Sequence, residues 1–356
     1  MRRLSDTIGR LAAARGMGGS PATGVERMSE LNAFGRNPGN LRARIYVPAS
    51  VGPAPALVVV LHGCTQTAAD YDLGAGWSRL ADEAGFVLLF PEQQRANNPN
   101  LCFNWFAPED VSRDHGEAAS IREMIATTVD RHGIDPARVF VNGLSAGGAM
   151  AAVMLATYPE VFAGGAIIGG LPFGTASGVV QALDRMRGHG LPGDAALGRL
   201  ARDASAHAGS WPTLSVWHGS ADATVHPDNA EAILTQWRAR HAVAATPDAT
   251  ETVGGHAHRM WRDAGGRVVI EDHRIAGMGH GTPIATNGAE ACGAAGAFML
   301  DVGVSSTRRI AAFWNIAAAV AARPVQRLQA VPAPPKPPTG VAAVIDDALR
   351  AAGLLR

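Results

Sequence analysis

Ser145 stands in the segment NGLSAGGAM (142–150), two places after Gly143 and two before Gly147. A short apolar strand is predicted at 138–142, and the small residues after the serine favour the start of a helix. A nucleophilic serine on a sharp turn between strand and helix has this setting. Side chains at 143 and 147 would collide there with neighbouring backbone, which glycine avoids. A tight turn with a serine helix cap is the weaker alternative.

A serine hydroxyl becomes a nucleophile only when a base takes its proton and an acid orients that base. In this architecture the chain order is serine, acid, histidine. His280 lies in the glycine-rich loop GMGHGTP (277–283), directly after a predicted strand. That place suits a base at the carboxyl edge of a sheet. His273 lies inside the preceding strand and is predicted to be a structural or surface residue.

The acid is predicted to be Asp222, which follows a strand directly in WHGSADATVHP (217–227). Asp228 is predicted to begin and cap a helix, and Asp272 lies within a strand. Both stay open as alternatives for the acid.

An oxyanion needs two preorganised backbone donors, one after the nucleophile and one from the loop after an early strand. Ala146 is expected to supply the first and Cys64, in LHGCTQ (61–66), the second. Cys64 would act through its amide. The three cysteines, which also include Cys102 and Cys292, are too few for a disulfide framework and are predicted to be reduced thiols, mostly buried. Cys64–Cys102 is the first pair to test for a bridge.

These residues need a scaffold, and the chain alternates between strand-like and helix-like segments. A mostly parallel central sheet with helices on both faces is therefore predicted, an α/β fold. The predicted strands are 41–48, 56–63, 85–91, 138–142, 164–170, 213–219 and 267–275, and the clearest helices are 73–84 and 117–132. The stretch 171–210 has no obvious strand and is predicted to be a lid-like insertion over the site.

Three regions follow from this organisation. Residues 1–39 are predicted to be an N-terminal amphipathic segment and 40–325 a catalytic domain. Residues 326–356 are predicted to be a proline-rich linker, centred on VPAPPKPPTG (331–340), followed by a short helix.

Composition narrows the class of partner. Of the 356 residues, 47% are hydrophobic and 17% charged, which indicates a globular chain, and the formal net charge of +0 offers no basic surface for nucleic acid. No segment is apolar and long enough to cross a bilayer, and none resembles a secretory signal, so a cytoplasmic location is favoured. We expect no cofactor and no metal ion. The number of subunits is not predictable from these features.

Several longer motifs carry a family resemblance over roughly 40–315. They are LHGCTQTAADYDLGAGWSRLADEAGFVLLFPEQ (61–93), CFNWF (102–106), GLSAGGAM (143–150), HGSADATVHP (218–227), GMGHGTP (277–283) and DVGVSSTRRIAAFW (301–314). In these motifs the chain closely resembles the esterase/polyhydroxybutyrate depolymerase family, whose members are similar in fold to α/β-hydrolases.

The resemblance implies hydrolysis of esters, including poly(3-hydroxybutyrate) and its oligomers. It places the triad at Ser145, Asp222 and His280 and an oxyanion amide at Cys64. It also implies that Trp105 contacts the acyl chain, with a buried core tryptophan as the alternative. An esterase that removes acetyl or feruloyl groups from plant polysaccharides is the second functional hypothesis, and an inactive binding protein of the same fold is a distant third.

The chain also departs from its relatives. Secreted members carry a leader and often a polymer-binding module, and neither is visible here. Some tannase- and feruloyl-esterase-like relatives have a cysteine just before the nucleophile, bridged to one after the histidine. Leu144 and Gly281 occupy those places, which excludes that bridge.

Overall fold

The computed structural model of the protein describes residues 27–318. The predicted spacer 331–340, the C-terminal helix and most of the N-terminal segment lie outside the described residues. Residues 27–39, in contrast, join the domain: a short strand at Ser29–Glu30 pairs with the next strand, and Leu31 and Phe34 are buried in the core.

Within residues 27–318, ten strands form one sheet in the order β1-β2-β4-β3-β5-β6-β7-β10-β9-β8, and β11 and β12 form a separate parallel pair. The strands are β1 Ser29–Glu30, β2 Arg42–Tyr46, β3 Leu57–Leu61, β4 Val87–Glu92, β5 Val139–Leu144, β6 Gly164–Ile168, β7 Thr213–Gly219, β8 Ala249–Val253, β9 His256–Arg262, β10 Val268–Ile275, β11 Thr282–Ile284 and β12 Met299–Asp301. The pairs from β4 through β10 are parallel, and the pairs at both ends of the sheet are antiparallel. All seven predicted strands belong to this sheet.

The helices of the described part are α1 Ala68–Ala75, α2 Trp77–Ala84, α3 Pro108–Val111, α4 Gly116–His132, α5 Ala146–Thr157, α6 Val179–Met186, α7 Asp194–Asp203, α8 Asp228–His241 and α9 Ser306–Phe313. Two apolar clusters lie on opposite faces of the sheet, because successive side chains of a strand point to opposite sides. Helices α4, α5 and α8 contribute to one cluster, and α1, α2 and α9 to the other. The predicted α/β fold with helices on both faces is confirmed. None of the described helices is long and apolar enough to span a membrane.

The structure corrects three local predictions. The helix expected at 73–84 is two helices, because Gly76 adopts φ 77° and ends the first. Between the predicted strands 213–219 and 267–275, where only helix was expected, α8 is followed by a β-hairpin, β8–β9, whose strands meet at Gly254 and Gly255, both with positive φ. Asp228 does begin α8, but the cap position belongs to Pro227 and Asp228 makes no capping hydrogen bond.

The predicted insertion at 171–210 contains α6 and α7 and no strand. Its residues Leu171 and Ala182 are buried in a small apolar cluster with Trp105 and Ala146. Because Ala146 directly follows Ser145, this places the insertion beside the serine turn.

Candidate active site

Ser145 lies between β5 and α5 with φ 58° and ψ −118°, a conformation that non-glycine residues rarely adopt. Neighbouring backbone enforces it. A Cβ atom at Gly143 would lie 2.3 Å from the Gly147 oxygen, and one at Gly147 would lie 2.2 Å from the Leu61 oxygen. The predicted collision at both glycines is therefore confirmed.

Asp222 and His280 form a buried pair. Nδ1 of His280 lies 2.7 Å from Oδ2 of Asp222, while Oδ1 of Asp222 accepts hydrogen bonds of 2.8 Å from the backbone N–H groups of Thr224 and Val225. Burial by itself would raise the pKa of Asp222. The hydrogen bond and charge of His280, helped by His218 and the Val225 amide, outweigh burial and hold this pKa below its usual value. Asp222 is thus an ionised partner for the imidazole.

The loops that carry this pair are joined to each other. Ala221 N donates to the Met278 oxygen at 3.0 Å, and Gly277 N donates to the Ser220 hydroxyl at 2.9 Å. A Cβ atom at Gly219 would lie 2.2 Å from the Met278 oxygen, so only glycine permits this close approach. Since β7 and β10 are parallel neighbours, the two loops leave the sheet at the same edge.

The end of β6 contacts both the serine turn and the Asp222–His280 pair. Ser145 N donates to the Ile168 oxygen at 2.9 Å. A Cβ atom on the next residue, Gly169, would lie 3.2 Å from Cε1 of His280 and 3.7 Å from Oδ2 of Asp222. Among the described residues no hydrogen bond joins the Ser145 hydroxyl to His280. In enzymes without bound substrate, catalytic hydrogen bonds are often long and tighten on binding.

The alternative acids are engaged elsewhere. Oδ2 of Asp272 is buried and accepts hydrogen bonds of 2.9 Å from Nε of both Arg259 and Arg274. Asp228 is exposed, and its carboxylate lies 3.3 Å from Nδ1 of His226. Of the three candidates, Asp222 is the one that the structure places against His280.

His273 is buried inside the protein. Of the two predictions for this residue, a structural or a surface position, the structure agrees with the first. Its ring is stacked between Trp217, at a centroid distance of 3.6 Å, and His258, at 4.1 Å. Nε2 of His258 lies 3.2 Å from Oε2 of Glu271, and Nε2 of His273 lies 3.4 Å from Oε1 of the same carboxylate. Burial opposes ionisation of Glu271, but the neighbouring histidines and the Ser215 hydroxyl lower its pKa to about 2.

His258, Glu271 and His273 are close enough to be considered as metal ligands. The two imidazole planes, however, are within 9° of parallel and face each other. The lone pair of an imidazole nitrogen lies in its ring plane, so two stacked rings cannot direct both lone pairs at one ion. The geometry favours a structural role for this cluster.

The cysteines differ from the prediction of reduced thiols. Cys64 and Cys102 form a disulfide across a sequence separation of 38, while Cys292 is a buried free thiol whose pKa is raised by burial to about 11. The bridge joins the pair that the sequence analysis put first for testing, but the sequence did not predict that it forms, because the contact depends on how the loop after β4 folds back. The bridge attaches this loop directly to the residue whose amide was predicted to face the oxyanion.

The backbone around that amide is held by hydrogen bonds. Gly63 N donates to Oε1 of Gln66 at 2.9 Å and Thr65 N donates to the Asn100 oxygen at 2.7 Å, which fixes the backbone on either side of Cys64. No described acceptor takes the Cys64 N–H itself. Ala146 is the first residue of α5, where backbone N–H groups lack intrahelical partners.

Trp105 is 7% exposed and packs edge to face against Phe106, at a centroid distance of 5.6 Å. It belongs to the small cluster that also contains Ala146 and the insertion residue Ala182. It is therefore buried, as in the alternative considered for it, yet lies beside the serine turn.

Two neighbours of the pair were not singled out from sequence. Nε2 of His218 donates to the Val225 oxygen at 2.8 Å and closes the loop that carries Asp222. The ring of Phe298 packs edge to face with His280 at 6.2 Å. His218 sits in the quoted motif HGSADATVHP, which was the available signal, whereas nothing in the sequence around Phe298 marked it.

Comparison with known proteins identifies the family of this chain. The family model described as esterase PHB depolymerase matches residues 42–255. Poly(3-hydroxyalkanoate) depolymerase C of Paucimonas lemoignei is 45% identical over 297 residues, which cover 83% of this chain and 72% of that protein. Feruloyl esterase B of Talaromyces stipitatus is 29% identical over 273 residues, 74% of each chain.

Among solved structures, an acetyl xylan esterase from Aspergillus awamori superposes with a TM-score of 0.66 and 26% identity, covering 71% of this chain and 93% of that one. The predicted resemblance is confirmed. The protein is a carboxylic ester hydrolase of the α/β-hydrolase type, and it belongs to the esterase/PHB depolymerase family.

Proposed function

We propose that this enzyme is a serine esterase that hydrolyses short-chain hydroxyacyl esters, poly(3-hydroxybutyrate) or its oligomers, through an acyl-enzyme on Ser145. The observation that carries the mechanism is the buried Asp222–His280 pair beside a serine in a strained turn. The substrate class is supported by the 45% identity to the depolymerase of Paucimonas lemoignei.

In the proposed mechanism, the Ser145 oxygen attacks the ester carbonyl while Nε2 of His280 takes its proton. Asp222 accepts the hydrogen bond from Nδ1 and stabilises the imidazolium that forms. The amides of Cys64 and Ala146 donate to the negatively charged oxygen. His280 then returns the proton to the departing alcohol. Water, deprotonated by His280, attacks the acyl-enzyme and releases the acid and free Ser145.

The mechanism is tested with a short-chain nitrophenyl ester in excess over the enzyme, followed from the pre-steady state into the steady state. The wild-type protein should release a burst of nitrophenol, and Ser145→Ala should lower kcat by about 10⁶, as loss of the nucleophile does in a comparable protease. Ser50→Ala is the matched control, because Ser50 is exposed and bonds only the Asp82 oxygen. Turnover by Ser145→Ala above a few per cent of the wild-type rate would remove Ser145 from the mechanism.

Polysaccharide deacylation is the second candidate, favoured by the superposition on the acetyl xylan esterase. Hydroxybutyrate trimer, acetylated xylan and feruloylated xylan should be compared at equal ester concentration. Faster release of 3-hydroxybutyrate than of acetate or ferulate supports the first candidate, and the reverse order supports the second. An inactive binding protein would release none of them.

The disulfide also indicates in which kind of cellular compartment the enzyme works. Disulfides persist in oxidising compartments and are rare in the cytosol. The Cys64–Cys102 bridge therefore favours an oxidising compartment over the cytoplasmic location expected from the sequence.

A further inference from the structure

A buried carboxyl group lies beneath the loop that carries Trp105. Glu117, in the first turn of α4, is 1% exposed. Its Oε1 accepts a hydrogen bond of 2.6 Å from Nε2 of Gln93, and its Oε2 accepts one of 2.9 Å from the backbone N–H of Asn104. Asn104 directly precedes Trp105, so one carboxyl oxygen holds the backbone next to the indole.

Gln93 extends this contact to the rest of the loop. Its Nε2 also donates to the Cys102 oxygen at 3.0 Å, so the same amide group holds Glu117 and the bridged cysteine. Its Oε1 accepts hydrogen bonds from Gln94 N at 2.9 Å and from Asn97 Nδ2 at 2.8 Å. The side-chain amide therefore has one fixed orientation, with its N–H groups toward Glu117 and Cys102.

The network continues to the loop that carries Cys64. The backbone N–H of Gln93 donates to Nε2 of His62 at 3.1 Å, and Nδ1 of His62 bonds the Gly63 oxygen at 2.8 Å. The Cys64–Cys102 bridge joins the same two loops covalently, the loop after β3 that carries Cys64 and the loop after β4 that carries Cys102. Glu117 is the acceptor that joins Gln93 to the backbone of Asn104.

Both groups that face Glu117 are donors, one to each oxygen of its carboxyl group, and the side-chain amide of a glutamine has only one oxygen to accept them. A glutamine here would set an N–H group against the N–H of Gln93 or of Asn104, and an unpaired buried polar group is costly. Burial and the nearby charge of Asp110 raise the pKa of Glu117 to about 8, so the fold tolerates this group despite an electrostatic penalty.

We propose that Glu117 is a positioning residue that sets the acyl-chain selectivity of the enzyme by fixing the backbone of Asn104 and, through it, the ring of Trp105. The proposal rests on the proposed function and on the contact between Trp105 and the acyl chain that the family resemblance implies. Glu117 itself touches neither substrate nor the reacting atoms.

The test compares the kcat and KM of acetyl and butyryl nitrophenyl esters for wild type, Glu117→Gln and Glu123→Gln. Glu123 lies on the same helix, more exposed, and pairs with Arg36 at 3.6 Å. Glu117→Gln should raise the KM of the butyryl ester by about tenfold, the order expected for one lost buried hydrogen bond, and that of the acetyl ester by less than about twofold. Glu123→Gln should change neither.

A double-mutant cycle with Trp105→Phe separates positioning from a general loss of folded protein. In the Trp105→Phe background, Glu117→Gln should no longer alter the ratio of the two KM values. An equal change for both esters, or an effect that persists in that background, would overturn the proposal. If Glu117→Gln does not fold, Gln93→Met removes one of the same hydrogen bonds from the other side and must show the same dependence on chain length. A wild-type protein inactive on every ester would instead overturn the proposed function.

Discussion

Asp222 and His280 are 58 positions apart in the chain, yet Oδ2 of the first and Nδ1 of the second are 2.7 Å apart and buried. The contact follows from two neighbouring parallel strands, β7 and β10, that end at the same edge of the sheet. A carboxylate in this position fixes the imidazole tautomer that leaves Nε2 free to accept a proton.

Asp222→Asn should therefore lower kcat by about 10⁴, the loss seen for the same change in a comparable serine protease. Asp228→Asn is the control, because it makes the same substitution six places along at an exposed residue. Steady-state kinetics on a nitrophenyl ester measure both. Equal losses in the two variants would mean that Asp222 has no special part in the reaction.

His280→Ala should abolish turnover, and the wild-type rate should fall at acid pH because a protonated imidazole cannot act as base. His273→Ala should keep most of the activity per folded molecule. It should nevertheless lower the free energy of unfolding by about 3 kcal/mol, since it removes a buried ring from between Trp217 and His258. Urea denaturation and kinetics on the same samples distinguish the two losses.

Reduction of the Cys64–Cys102 bridge should lower both the stability and the activity of the enzyme, whereas free thiols, as expected from the sequence, would give no such response. A bridge over a separation of 38 stabilises the fold by about 4 kcal/mol in the chain-entropy model. Dithiothreitol should lower the melting temperature, and it should lower activity because the Cys64 loop loses its attachment. The double variant Cys64→Ser/Cys102→Ser should melt lower than wild type and show no response to dithiothreitol. A wild-type melting curve that dithiothreitol leaves unchanged would contradict the bridge.

Stability should also fall in acid through Glu271. Its pKa is lowered in the folded state from 4.5 to about 2, so it contributes stability above about pH 4.5, and this contribution is lost as the pH falls toward 2. Burial lowers the pKa of His273, which acts in the same direction below neutral pH. The difference in unfolding free energy between wild type and Glu271→Gln should shrink over this range. A difference independent of pH would show that Glu271 is not ionised in the fold.

Sequence was sufficient for the parallel core of the sheet and for the positions of the site residues along it. Continuous apolar runs identify strands buried on both faces, and the residues that follow such strands share one edge. Ser145, Asp222 and His280 each follow a predicted strand, so the sequence predicts that they lie at one edge of the sheet.

The remaining features depend on contacts that no local pattern encodes. The hairpin β8–β9 was missed although Gly254–Gly255 is a typical two-residue turn, because its strands are short and mostly polar. The Cys64–Cys102 bridge and the acceptor role of Glu117 both arise where the loop after β4 returns to the sheet. Such a return is fixed by tertiary packing and not by spacing in the chain.

The same hairpin has a practical consequence. It lies at the far end of the sheet, beyond β10, and a Cβ atom on Gly255 would meet nothing within 4 Å. Exposed turns of this kind accept inserted domains most readily. The loops that hold Asp222 and His280 are secured by β7 and β10, inside this hairpin. The turn itself lies at the edge from which these loops leave, because Ala257 pairs with Arg274 and the backbone N–H of Ala276 donates to Nδ1 of His256 at 3.1 Å. A second domain grafted at Gly255 in a chimaera would therefore lie next to the loop that carries His280.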